Sequence, residues 1–120
     1  MKMSDLYWAD SDIEKIIIEF NKLKMFVFND FLQKNVVVVC NNFIGMDNFC
    51  IWDDTIISQL HMKKIDTTEM SRFAMLSHYD LNFDYGNRYL SDGMIDISVE
   101  LTNQTVFHIY CQNVMIEINE

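Results

Sequence analysis

From Met94 to Asn119 the chain alternates apolar and polar residues with little interruption. Ile95, Ile97, Val99 and Leu101 are interleaved with Asp96, Ser98 and Glu100. A period of two puts the aliphatic side chains on one face of an extended segment and the polar ones on the other. Thr102-Asn103-Gln104 breaks the pattern, and Thr105–Cys111 and Val114–Ile118 resume it with β-branched and aromatic residues. Three strands joined by short polar turns predict an antiparallel meander. The remaining chain must supply the layer that covers its apolar face.

Upstream, Ile13–Phe20 reads as a strand, with Ile16, Ile18 and Phe20 on one face and Glu19 pointing away. Ile13, Ile16, Ile17 and Phe20 also fit a helical stripe, and β-branched density decides for the strand. Asn21-Lys22 predicts a turn into a second strand over Lys24–Asn29, forming a hairpin. Val36-Val37-Val38-Val39-Cys40 cannot alternate, so it predicts a strand that is buried on both faces or central in the sheet. Phe43–Gly45 reads as its continuation past a bulge, and Asn48–Trp52 as a further short strand.

Asp53-Asp54-Thr55 then predicts a helix start. Its carboxylates can cap free N–H groups, Ile56, Ile57 and Leu60 form a stripe, and Lys63 and Lys64 suit the last turn. A second helical turn is expected from Thr67 or Thr68 through Leu76. His78–Gly93 is irregular, with Tyr79, Leu81, Phe83 and Tyr85 interleaved with Asp80, Asn82 and Asp84. It fits either a strand with an aromatic face or a long binding loop. The expected fold is mainly β, an antiparallel sheet folded as a sandwich or partly open barrel with one or two short helices. An α+β arrangement stays open.

Composition sharpens this picture. A chain of 120 residues, half of them apolar, is expected to be one domain, residues 1–120, with a full hydrophobic core. There is no Pro and only 3 Gly, so turns must rely on Asn and Asp, and no phosphate cradle can be built from glycine. Cys40, Cys50 and Cys111 are an odd set without CxxC spacing. Cys40 and Cys111 lie among strand residues and are expected to be buried, reduced thiols. The apolar runs are too short for a membrane span and the N-terminus lacks a signal-peptide pattern, which predicts a cytoplasmic protein.

The formal net charge is −9. Arg88 is the single base after residue 72, against Asp80, Asp84, Asp92, Asp96, Glu100, Glu117 and Glu120. Such a surface repels nucleic acid and anionic membranes and favours a basic protein partner. His61, His78 and His108 have no metal-ligand spacing, and no catalytic residue, metal site or cofactor is expected. Paired carboxylates could carry acid–base chemistry only if they faced each other across a cleft. The candidate partner-binding residues are therefore Asp10, Asp12, Tyr79, Asp80, Asp84 and Tyr85, where acids stand beside aromatics.

Trp8-Ala9-Asp10-Ser11-Asp12-Ile13, followed by an Ile-rich strand, resembles the opening W-H-D-S/A-x-I/L of small bacterial immunity proteins of polymorphic and contact-dependent toxin systems. Ala9 stands where that opening carries His. The ending Val106–Ile118 is similar to their final strands, and Phe43-Ile44-Gly45 and Trp52-Asp53 sit where they place a strand end and a helix start. The resemblance implies a non-enzymatic protein that neutralises a cognate toxin domain by direct binding. A general interaction or assembly module, homodimeric through an edge strand, stays open beside it.

Overall fold

A computed structural model of the protein describes residues 6–47, 54–65 and 94–119. These residues form eight strands: β1 (Asp12–Glu19), β2 (Lys22–Asn29), β3 (Lys34–Asn41), β4 (Gly45–Asp47), β5 (Ile57–Ile65), β6 (Met94–Leu101), β7 (Val106–Cys111) and β8 (Asn113–Asn119). They build two antiparallel sheets, ordered β1-β2-β3-β8 (sheet A) and β4-β7-β6-β5 (sheet B). The arrangement is sandwich-like and does not close into a barrel. No helix occurs among the described residues, and none there is long and apolar enough to cross a membrane.

Alternation explains the layers. Leu23, Met25 and Val27 of β2 pair with Cys40, Val38 and Val36 of β3, and all six are buried. From sheet B, Ile97, Val99 and Leu101 join Phe107, Ile109 and Cys111 in the same apolar core. Each such large side chain contributes about 1.5–3 kcal/mol on burial.

The valine run is buried on both faces, as its composition predicts. Val36 and Val38 face the core. Outside, Val37 lies in a cross-strand row between Phe26 and Glu117, and Val39 between Lys24 and Met115. Lys15 adds its ammonium 4.6 Å above the Phe26 ring. Longer neighbours thus cover the short valines from both sides.

Several expectations are corrected. The segment expected as a helix near 53–63 contains strand β5. Between Ile57 and Gln59 the register shifts, leaving Ser58 as an extra residue. This bulge lets Ile57 and Leu60, three apart, both face the core, which mimics a helical stripe. The same device operates in β1, where a shift between Ile13 and Lys15 brings Ile13 and Ile16 to one face. The expected second helix at 67–76 and the strand at 48–52 lie outside the described residues.

The C-terminal meander is also different. β6 and β7 form the expected hairpin, but β8 pairs with β3 in the other sheet. The edge of β7 is taken instead by β4. Gly45 therefore begins a strand of sheet B, where a continuation of β3 was expected. The chain leaves β3 through Asn42, whose φ of 52° turns the backbone. In the first hairpin Glu19 pairs with Lys22, so the turn is Phe20-Asn21. Phe20 is fully exposed with φ of 53°, not part of the apolar face of β1.

Phe107 and Phe20 should behave oppositely in urea denaturation. Phe107→Ala empties a fully buried site and should lose ~3–5 kcal/mol. Phe20→Asn removes no buried contact and relaxes a left-handed position, so stability should hold or rise by up to ~1 kcal/mol. Equal losses would contradict this assignment of core and tip.

Candidate functional site

Two polar constellations stand out. The first is a seam joining the sheets. Residues 54–57, at the entry of β5, run beside the start of β1. Asp10 N–H donates to the Ile57 carbonyl (2.8 Å), Ile57 N–H to Ser11 (2.8 Å) and Ile13 N–H to Thr55 (2.9 Å). Asp12 bridges Ile56. Asp10, Asp12 and Asp54 are thereby gathered along one backbone-bonded edge.

Each carboxylate has its own setting. Asp10 is exposed in a turn closed by Ser11 N–H to the Trp8 carbonyl (3.1 Å), at φ of 65°, a conformation aspartate tolerates. Asp12 accepts the Thr55 hydroxyl at 2.6 Å. Asp54 accepts the Ile56 N–H (3.0 Å) through Oδ1, an Asx turn. Its Oδ2 accepts the Thr102 hydroxyl and the Asn103 N–H (2.9 Å). Asp54 thus does cap free N–H groups, but it ties the β6–β7 turn to a strand entry.

Buried polar groups fix the chain leading to this seam. Asn29 and Ser11 are fully buried. Asn29 donates Nδ2–H to the Tyr7 carbonyl (3.0 Å) and accepts the Leu32 N–H on Oδ1 (2.9 Å). The Ser11 hydroxyl accepts the Asp30 N–H (3.1 Å). Losing either side chain would leave backbone groups without their partners, at ~1–3 kcal/mol where they are buried. The N-terminal segment is therefore held to the β2–β3 turn, with Tyr7 edge-on to Phe31 at 6.0 Å.

The second constellation lies on the outer face of sheet B, where the polar halves of three strands align. Register places His61, Ser98 and His108 in one row, and Lys63, Asp96 and Tyr110 in the next. Asp96 is buried, and its Oδ1 meets His108 Nδ1 at 2.9 Å. Ser98 Oγ approaches the same nitrogen at 3.1 Å. His108 stacks on Tyr110, with centroids 6.0 Å apart and planes 13° apart. Further along, Glu100 accepts Gln59 Nε2–H (2.5 Å), and Gln59 Oε1 faces His61 Nε2 (3.0 Å).

Aspartate, histidine and serine together invite comparison with a nucleophilic triad. A triad needs carboxylate and hydroxyl on opposite ring nitrogens, so that the imidazole can pass a proton between them. Here both sit on Nδ1. The carboxylate orients the ring, and the hydroxyl is not placed to lose its proton to Nε2. Among the described residues, no group of three or more His, Cys, Asp or Glu side chains could hold a metal.

Of the residues expected to bind a partner, Asp10 and Asp12 meet on the seam. Tyr79, Asp80, Asp84 and Tyr85 lie outside the described residues. The His108 row escaped sequence reading because it needs the register of β6 against β7. Its signal was the turn at 102–104, which fixes Ser98 opposite His108 and Asp96 opposite Tyr110.

Hydrogen bonds from Thr102 and then Ile56 hold the Asp54 carboxyl below its ordinary 3.8. A lowered folded-state value gives stability that is complete above 3.8 and is lost as pH falls through the folded value. Asp54→Asn should therefore leave an acid-denaturation profile that is flatter below about pH 4. Urea midpoints at a series of pH values check this, and an unchanged acid limb would contradict it.

A scan of protein-family models finds no match to this chain, and a comparison with curated proteins finds none either, so the functional reading rests on its residues and their geometry.

Proposed function

We propose that this protein is a non-enzymatic binding protein of the immunity type, which neutralises a basic bacterial toxin domain in the cytoplasm by direct contact. The observation that carries this reading is the seam. Asp10, Asp12 and Asp54 are presented on an edge held by backbone hydrogen bonds, in a chain of net charge −9. A rigid acidic edge suits a basic partner, because its charges need no ordering on contact. The residues that resemble the immunity-protein opening, Trp8–Ile13, are the ones that build this edge. Tyr79, Asp80, Asp84 and Tyr85, which lie outside the described residues, are proposed from the sequence alone as aromatic anchors and further charge for the same partner.

A second reading has its own observation. Among the described strands, β8 ends sheet A on one side with Met115 half-exposed, and β1 ends it on the other, with Ile18 and then Phe20 of the β1–β2 turn exposed. Edge strands that expose apolar side chains favour self-association of an assembly module. Concentration-dependent sedimentation separates this reading from the first.

The decisive measurement is association and dissociation rates with the product of the adjacent toxin-like reading frame, at two salt concentrations. Asp10→Asn with Asp12→Asn should slow association and flatten its salt dependence, as should Asp80→Asn with Asp84→Asn. Tyr79→Ala or Tyr85→Ala should speed dissociation, by ~1–2 kcal/mol for an anchor. Absence of binding by the wild type rejects the immunity reading. Binding that none of these substitutions alters rejects the proposed surface.

A further inference from the structure

Two of the three cysteines meet inside the sandwich. Cys40 lies near the end of β3, opposite Leu23 and Val114. Cys111 ends β7, opposite Ile95. They belong to different sheets, yet both are fully buried in the same core. The crossover brings them together. After Cys111 the chain turns through Gln112 alone, and Asn113 then pairs with Asn41. Gln112 N–H donates to the Asn41 carbonyl at 3.2 Å. The residues that follow the two cysteines are thus bonded to each other, and Cys111 is the neighbouring group that acts on the Cys40 thiol. Both are free in the structure.

We propose that Cys40 and Cys111 form an oxidation site, which hydrogen peroxide closes into a reversible disulfide between the two sheets. Two buried thiols could serve as small apolar residues without touching. Two thiols buried in one core, one from each sheet, with their next residues hydrogen-bonded where the chain passes between the sheets, are a more particular arrangement.

The chemistry balances with one peroxide. One thiol loses its proton, and the thiolate attacks a peroxide oxygen. The O–O bond breaks and a sulfenic acid forms, with the first water leaving once the released oxygen takes up the proton. The second sulfur attacks the sulfenic sulfur, the S–S bond forms, the S–O bond breaks, and a second water leaves. Both sulfurs are oxidised by one electron each, and the peroxide accepts both electrons. The hydrogen bond with Cys111 and burial push the Cys40 thiol well above its ordinary value. Thiolate is therefore scarce while the corner is closed, and oxidation depends on transient opening around Gln112.

The test treats the intact chain with hydrogen peroxide, then blocks remaining thiols in denaturant and maps peptides by mass spectrometry. The wild type and Cys50→Ser, which leaves the pair intact, are run together. Expected in both is one intramolecular Cys40–Cys111 link, with loss of about 2 Da, reversed by dithiothreitol. The bridged form should melt about 5 °C or more higher. Its rate of formation should rise in sub-denaturing urea. Links confined to Cys50, separate sulfinic acids at Cys40 and Cys111, or two thiols still free in peroxide-treated protein unfolded only afterwards would overturn the proposal. An equal rate with and without urea would overturn the gating by local opening.

Discussion

Pairing of the valine strand β3 with the final strand β8 is the constraint on which the other contacts depend. Val36–Val39 has no polar face to turn to water, so β3 must be flanked on both sides within its sheet. β2 covers one side by a local hairpin. The other side must wait for Asn113–Asn119, far along the chain. Closing so long a loop carries an entropic cost that hydrophobic burial has to exceed, and such topologies fold slowly. Once β8 crosses to β3, β7 is left in sheet B with a vacant edge, which β4 takes. The same crossing places Cys111 against Cys40.

A second constraint acts at the opposite side of the sandwich. Residues 10–13 and 54–57 exchange backbone hydrogen bonds, joining β1 to the entry of β5. Asp54 fastens that entry to the β6–β7 turn, while buried Ser11 and Asn29 fasten the N-terminal segment to the β2–β3 turn. These are polar contacts with satisfied partners, so they specify geometry where apolar packing alone would allow sliding. Their consequence is an acidic edge held in place by backbone hydrogen bonds. The His108 face, in contrast, is set by strand register: a buried carboxylate orients an imidazole, and Tyr110 supports it by stacking.

The sequence by itself determined the strands and much of the core. Alternation in 95–101 and 106–111, the Ile-rich first strand and the valine run each leave extended structure as the way to hide their apolar side chains. Cys40 and Cys111 were legible as buried thiols for the same reason. Asp10 and Asp12 were legible as a surface pair, since adjacent acids seldom enter a core.

Tertiary structure decided the rest. Ile56, Ile57 and Leu60 fit a helix as well as a bulged strand, because one extra residue converts a period of two into a spacing of three. Only pairing with β6 resolves that ambiguity. Whether β8 continues a meander or crosses to the other sheet depends on which edge is vacant, and no local pattern encodes it. The neighbours of Asp54, Cys40 and His108 come from strands distant in sequence, so their chemistry is fixed by register and crossover. A side chain's type is written in the sequence; what it faces is set by the long-range pairing that buries the most apolar surface.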